Sequence, residues 1–332
     1  MSWDKGALLE KSGSYWQSCA LHTGVKLDVF TVIGSGDLSA EEVADRINGD
    51  PRGVSALLNA LSAMGLLDKA RGLFSNTDFS KNFLSKDSDD YTGFIIMHHH
   101  HLMESWTKMS EAVLSGKPNR SSVSDTDKDT ERESFLMGMF NIASATAPMY
   151  AKALGLGDRE RLLDLGGGPG TYAIHFCLNN PGLKATVFDL PATRKFAEKT
   201  IASFGLSDRI GFKEGSYLDK NIRLDQDYDA AWLSHILHGE GPREAASIVA
   251  RAADALKTGG KILIHEFILN DAMDGPLFPA LFALNMLAGT DKGQSYSEAQ
   301  LRDMLEKSGI ANIQRLDLRS PNDAGILAGE KS

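Results

Sequence analysis

The chain is poor in cysteine, in net positive charge and in long apolar runs, and each shortage removes a class of protein. Two cysteines, Cys19 and Cys177, are all it holds in 332 residues. They stand far apart, which gives neither a disulfide framework nor the spacing of a zinc site and suits a reducing, cytoplasmic setting. The formal net charge is −9, from 44 Asp and Glu against 35 Lys and Arg. No overall positive field exists to hold nucleic acid or an anionic membrane, so neither is expected as a partner. No stretch reaches the roughly 18 apolar residues of a membrane helix. The opening MSWDKGALLEKSGSYW lacks the basic-then-apolar order of a signal peptide. An internal repeat of roughly 20 to 50 residues is also missing. With 42% hydrophobic and 24% charged residues, what is there reads as a soluble globular protein long enough for two cores.

From Lys11 to Leu84 the pattern is helical, in three stretches parted by short Gly/Asp turns: YWQSCALHTGVKLDVFTVI, SAEEVADRI behind the cap Ser39, and PRGVSALLNALSAMGLL. A ribbon-like DKARGLFSNT follows. Helix, tight turn, helix and β-wing outline a winged helix, which raises a reading as a ligand-sensing transcription regulator. Residues 1–90 carry nine Lys/Arg against thirteen Asp/Glu, and the helix that would enter the groove offers Arg52 among Leu, Ala and Met. Such a surface suits protein contact better than phosphate. Residues 117–134, KPNRSSVSDTDKDTERES, are polar and turn-rich and read as a loop, followed by one helix over ESFLMGMFNIASATAPMYAKAL. From Arg161 onward short apolar strands alternate with helical stretches, from RLLDL through to AGILAGE, which predicts a mainly parallel sheet covered on both faces. The expected division is therefore 1–115 helical and winged-helix-like, 116–157 a linker and a helix, and 158–332 α/β.

The first of these strands runs into DLGGGPG, residues 164–170, and then a helix. Its glycines let the backbone turn tightly and let a ligand approach the strand end without meeting a Cβ. The third glycine of a dinucleotide fingerprint would fall on Thr171, and no lysine follows as a phosphate loop requires. A ligand held without its phosphates is the better fit. Asp189 ends the second strand in VFDLP, where a carboxylate could accept from two ribose hydroxyls. A nucleoside without pyrophosphate fits both features, and S-adenosylmethionine is the commonest such cofactor; glycine turns of this kind also arise for packing alone. EGSYL closes the third strand and LSHILH the fourth, all at the carboxyl edge where open α/β sheets bind ligands.

With these pieces in place the chain resembles the small-molecule O-methyltransferases of the plant caffeate and bacterial polyketide type. The likeness runs over LDVF, MESW, FLMGM, DLGGGPG, VFDLP, EGSYL, LSHILH, GGKILIHEFIL, LNMLAGT and a final antiparallel hairpin. It implies a Rossmann-like class I methyltransferase sheet of seven strands with the last antiparallel, behind an N-terminal dimerisation domain, in a homodimer. It further implies an enzyme that uses S-adenosylmethionine, releases S-adenosylhomocysteine and methylates a hydroxyl of a small aromatic or polyketide-like acceptor. By the same resemblance Gly166, Gly168, Asp189, Gly215, Ser216 and Tyr217 hold the cofactor, and His235 borders its methionine end. His238, at the end of the fourth strand, is the implied general base, flanked by Glu266 and by Gln294. The sequence departs from the family at three points: Ser216 and Gln294 stand where acids are usual, and Gly239-Glu240 follows the base in place of Asp-Trp. Gly239 and Gln294 keep open methylation at carbon or nitrogen, or a family member that binds the cofactor for other chemistry, and a packing role for His238 also stays open.

Residues 98–101 are four consecutive histidines, for which a metal site, a pocket wall and a solvated helix face compete. On a helix successive residues rotate by about 100°, so the four cannot face one ligand. His98 and His101 share a face, with Glu104 a third ligand on paper. The resemblance puts this run on a helix lining the acceptor pocket together with Trp106, Phe135 and Met139. The implied mechanism needs no metal, and none is expected.

Overall fold

A computed structural model of the chain describes residues 3–121, 129–318 and 320–332. By contacts it divides into two compact units, residues 1–103 with 133–141, and residues 104–132 with 142–332. The loop expected over 117–134 lies in part outside the described residues.

The helices of the first region are α1 (Lys5–Gly13), α2 (Tyr15–Lys26), α3 (Val29–Ile33), α4 (Ala40–Ile47) and α5 (Pro51–Ala63). A two-stranded antiparallel ribbon, β1 (Leu67–Ala70) and β2 (Leu73–Asn76), leads into α6 (Asp78–Phe83) and α7 (Gly93–Thr107). Local chemistry sets several of these ends. Ser39 and Glu42 cap α4 reciprocally, each side chain bonded to the other's backbone N–H. Asp50 caps α5 just before Pro51, whose missing N–H costs nothing at a first helical position. The stretch expected as one helix over residues 15–33 is two, because Asp28 adopts φ 57°, and its carboxylate accepts from the Thr31 hydroxyl at 2.7 Å. A short acid that bonds its own neighbourhood tolerates that left-handed position and breaks the helix there. Val29, Phe30, Val43, Leu58, Leu61 and Phe74 form the core of this unit.

In chain order there follow α8 (Met109–Ser115), α9 (Asp129–Ser144) and α10 (Ala147–Ala153). The helix expected over 133–154 is broken, and Pro148 sits in the first turn of α10, where it cannot continue the α9 ladder. The α/β elements are β3 (Arg161–Leu165), α11 (Thr171–Asn179), β4 (Lys184–Asp189), α12 (Arg194–Ser203), β5 (Ile210–Glu214), β6 (Tyr228–Ser234), α13 (Pro242–Asp254), β7 (Leu256–Phe267), α14 (Leu277–Gly289), α15 (Glu298–Lys307), β8 (Ile310–Leu316) and β9 (Ala324–Lys331). The sheet runs β5-β4-β3-β6-β7-β9-β8. All pairs from β5 to β7 are parallel, and β9 is antiparallel to both its neighbours. Strands buried on both faces read as apolar runs, as RLLDL and AAWL do. Two cores result, one on each face, around Trp232 and Phe176 and around Leu165, Leu233 and Ile264. The strand order reverses its direction of growth at β3 and β6, and the crevice at their carboxyl ends is where such sheets bind ligands.

Candidate active site

Five strands of the sheet deliver the predicted residues to one edge. After β3 the chain enters Gly166–Gly170, where Gly166 and Gly168 take φ 68° and 53°. A side chain on Gly166 would collide with Ile236 at 2.5 Å, whereas one on Gly168 would meet nothing within 4 Å. Gly168 thus offers bare backbone to open space. Its N–H donates to Asp189 Oδ2 at 2.8 Å, and the other carboxylate oxygen accepts from Leu190 N at 2.6 Å and from the Thr193 hydroxyl at 3.1 Å. Burial pushes the Asp189 carboxyl upward, against these hydrogen bonds that hold it down. Asp164, one residue inside β3, is 1% exposed, and burial raises it to about 7.

Beyond β5, Gly215 is packed so closely on Phe188 that a Cβ would lie 2.7 Å from its ring. Arg251 of α13 fixes the following turn, donating to the carbonyls of Tyr217 and Asp219 at 2.7 Å and also to that of Ile222. Ser216 uses its hydroxyl to accept from Leu218 N at 3.2 Å, and the Tyr217 hydroxyl donates to Glu240 Oε1 at 3.4 Å.

His238 does not end a strand as expected. β6 stops at Ser234, and His238 lies in a single 3-10 turn, Leu237–Gly239. The chain leaves the sheet because His235 adopts φ 56°, a conformation that costs a non-glycine residue about 1–2 kcal/mol, and because Glu266 captures the next donors. Glu266 Oε1 accepts from Leu237 N at 2.8 Å and His238 N at 3.4 Å, while Oε2 lies 2.7 Å from His238 Nδ1. His235 Nδ1 stands 3.6 Å from the same oxygen. Glu266 is 2% exposed. Burial alone would raise its carboxyl, but the charge and 2.7 Å contact of His238 and the nearby His235 prevail and hold it well below the usual carboxylate range. The His235 imidazole is lowered by burial. An ionised Glu266 beside His238 fixes one ring tautomer, with Nδ1 carrying the proton and Nε2 free to take another.

Gln294 makes no hydrogen bond among the described residues. It lies in the loop after α14, where Gly293 packs so tightly on the His238 carbonyl that a Cβ would approach it to 2.5 Å. Four residues not singled out from the sequence complete the surroundings. Phe282 meets the His238 ring edge-on at 4.7 Å, with Phe267 and Phe278 behind it. Phe278 and Phe282 are four apart on α14, so their shared face was there to be read. His265, beside Glu266 in β7, is buried with Nδ1 2.9 Å from the Ser234 hydroxyl, and burial keeps it neutral well below the ordinary range.

The remaining predicted residues belong to other elements of the chain. His98 to His101 are on α7; His98 is buried with its ring 5.3 Å from Phe135, His99 is exposed, and His101 is half-buried. Phe135 and Met139 are on α9, half-buried. Trp106, assigned to the second unit, is 38% exposed.

Comparison with known proteins agrees with this geometry. The model of the O-methyltransferase domain matches residues 106–311, and that of the O-methyltransferase dimerisation domain matches residues 9–86. The chain belongs to the O-methyltransferase family. It is an S-adenosylmethionine-dependent methyltransferase with the class I fold. Among similar proteins, a 3-hydroxy-5-methyl-1-naphthoate 3-O-methyltransferase of Streptomyces sahachiroi is 31% identical over 331 residues, covering 98% of this chain and 95% of that one. An N,N-dimethyltransferase of Streptomyces rimosus, OxyT, is 27% identical, covering 94% and 92%. The structure of an O-methyltransferase family protein from Burkholderia thailandensis superposes with a TM-score of 0.89 at 28% identity, covering 100% of this chain and 99% of that one. No helix among the described residues is long and apolar enough to cross a membrane.

Proposed function

We propose that this methyltransferase acts on a hydroxyl of a small aromatic or polyketide-like acceptor and that His238 is its general base. When bound, the cofactor supplies an electrophilic methyl group on a sulfonium sulfur. A phenol hydroxyl is a poor nucleophile near neutral pH, and its phenolate a good one, so a base within hydrogen-bond reach supplies the missing step. The observation that carries the reading is the 2.7 Å contact between His238 Nδ1 and the buried Glu266. Nδ1–H donates to that carboxylate, Nε2 takes the acceptor's proton, and Glu266 stabilises the resulting imidazolium. The phenylalanines against the imidazole lower the local dielectric and strengthen that charge pair.

In this reading Gly166 and Gly168 cradle the cofactor and Asp189 holds its ribose. Asp189 Oδ1 already accepts from Leu190 N and Thr193, and Oδ2 from Gly168 N alone, so the free position on Oδ2 suits a ribose hydroxyl donor. Gly215, Ser216 and Tyr217 form the adenine side, on a turn that Arg251 holds rigid, and His235 borders the methionine end. The N-terminal region pairs with a second copy, which its exposed Trp3, Leu8, Leu9, Tyr15 and Trp16 support.

The N,N-dimethyltransferase among the relatives favours one second reading, a nitrogen acceptor. Purified protein is incubated with the cofactor and paired panels of hydroxylated and aminated aromatic acids, and products are located by mass spectrometry and NMR. Methyl on oxygen is the expected result. Methyl on nitrogen or carbon would replace it.

A further inference from the structure

The same turn that aims His238 also makes a place for a metal ion. His235, His238 and Glu266 each offer one ligand atom, and these atoms all lie within 4.8 Å of one another. Two imidazoles and a carboxylate suit divalent transition ions, above all zinc. Bonds of about 2.0–2.2 Å place ligand atoms roughly 3.3 Å apart in a tetrahedral site. Glu266 Oε2 is 2.7 Å from His238 Nδ1 and 3.6 Å from His235 Nδ1, both within an ångström of that spacing, and the two imidazoles, whose ligand atoms lie within 4.8 Å, would draw together to close the site. His235 Nδ1 is buried and makes no hydrogen bond, which leaves its lone pair uncommitted. Both rings keep some exposure, 24% and 13% of their side chains, which leaves room for a fourth, water ligand.

We propose that His235, His238 and Glu266 bind a zinc-class divalent ion and that this ion switches the enzyme off. The ion replaces the proton between His238 Nδ1 and Glu266. That proton moves to His238 Nε2, the imidazole stays neutral, and the nitrogen that should accept the substrate proton becomes a donor. Ion binding and base catalysis therefore exclude each other; this half of the inference rests on His238 being the base, and the ion site does not.

The test uses the chelator-stripped full chain titrated with cobalt(II), read by its visible absorption and by calorimetry. Because the histidine run of α7 offers competing imidazole ligands to an added ion, the titration is repeated on a variant carrying His99→Gln, His100→Gln and His101→Gln. One equivalent is expected to bind the run variant as tightly as the parent, and His235→Asn is expected to weaken it more than about tenfold. Asparagine tolerates the positive φ at 235, so that variant keeps the turn, and its circular dichroism checks the fold. Binding that survives His235→Asn, or that vanishes with the run variant, would overturn the site. Zinc is then added to the methyl-transfer assay and the ratio of rates with and without it is read for each variant. The parent is expected to lose activity at one equivalent and His235→Asn to keep its ratio near one. A bound ion with undiminished transfer would overturn the inhibitory role and, separately from the site, His238 as base.

Discussion

The histidines of α7 and those at the end of β6 and β7 use sequence neighbourhood in opposite ways. Four in a row on a helix cannot converge on one point: His98 meets Phe135, His99 faces solvent, and His100 Nε2 lies 3.2 Å from the Lys26 ammonium. Three spread over residues 235–265 come to one spot, His235 with its ring 4.3 Å from His265 and 5.9 Å from His238. Helical rotation disperses adjacent residues, whereas the parallel strands of an open sheet end side by side and gather distant ones. The second difference is the acid. The α7 run has a cation beside it, and the sheet edge has Glu266, which gives one imidazole a fixed tautomer. Convergence plus a buried counter-charge is what separates a reactive histidine from an abundant one.

The largest expected break in this contrast is Glu266→Gln. It leaves one oxygen to accept from the Leu237 and His238 N–H groups but puts an uncharged NH2 donor against His238 Nδ1, which undoes the tautomer lock, and methyl transfer should fall by about 10²–10⁴-fold. Steady-state kinetics beside a thermal melt measure both losses. Asp189→Ala comes next: cofactor binding by calorimetry should weaken by more than about tenfold, since one charged hydrogen bond to a hydroxyl accounts for about 1.5–3 kcal/mol. Full affinity in that variant would remove the ribose assignment.

Protonation gives a subtler separation of the two regions. In the first unit His22 is buried, its Nδ1 3.2 Å from Met103 Sδ, and burial with His100 and His99 nearby lowers it to about 4. Below about pH 6.5 the unfolded chain takes up a proton there that the folded chain refuses until about pH 4, so stability falls across that window. His22→Gln should flatten the fall of Tm between those values. Asp164 in the second unit has the opposite sign. Burial raises it to about 7, so the folded state holds its proton more tightly and this group favours folding as pH drops. Asp164→Asn should raise Tm by on the order of a few degrees at pH 8, where the parent must bury a charge, and much less at pH 5. A gain that does not depend on pH would contradict the buried-acid account. The smallest effect belongs to the conspicuous run: His99→Gln with His100→Gln should change kcat by less than about twofold, as surface substitutions generally do.

Much of this was readable from the chain. RLLDL, KATVFD and YDAAWLS are strands where their apolar texture says so, and Gly166, Gly168, Asp189, His238 and Glu266 reach one edge because each follows or ends a strand. Two helix breaks were not readable from periodicity: Asp28 interrupts an unbroken apolar repeat by backbone geometry, and Thr146 and Pro148 divide a stretch that looks continuous. His238 was placed in a strand because nothing in LSHILH announces that His235 turns to positive φ. His265 and Phe282 escaped notice for a related reason, since apolar strands and helices conceal which of their residues face a site. Gln294 occupies the expected loop, and there the backbone of Gly293, rather than a side chain, meets the base.

The most direct test of His238 as the base is single-turnover methyl transfer by His238→Ala with an accepted hydroxylated substrate, beside calorimetric binding of S-adenosylmethionine to the same preparation. Cofactor affinity within about threefold of the parent, with transfer slowed by about 10²–10⁴-fold and partly restored by added imidazole or higher pH, is the predicted result. Transfer at the parental rate with the cofactor still bound would contradict it.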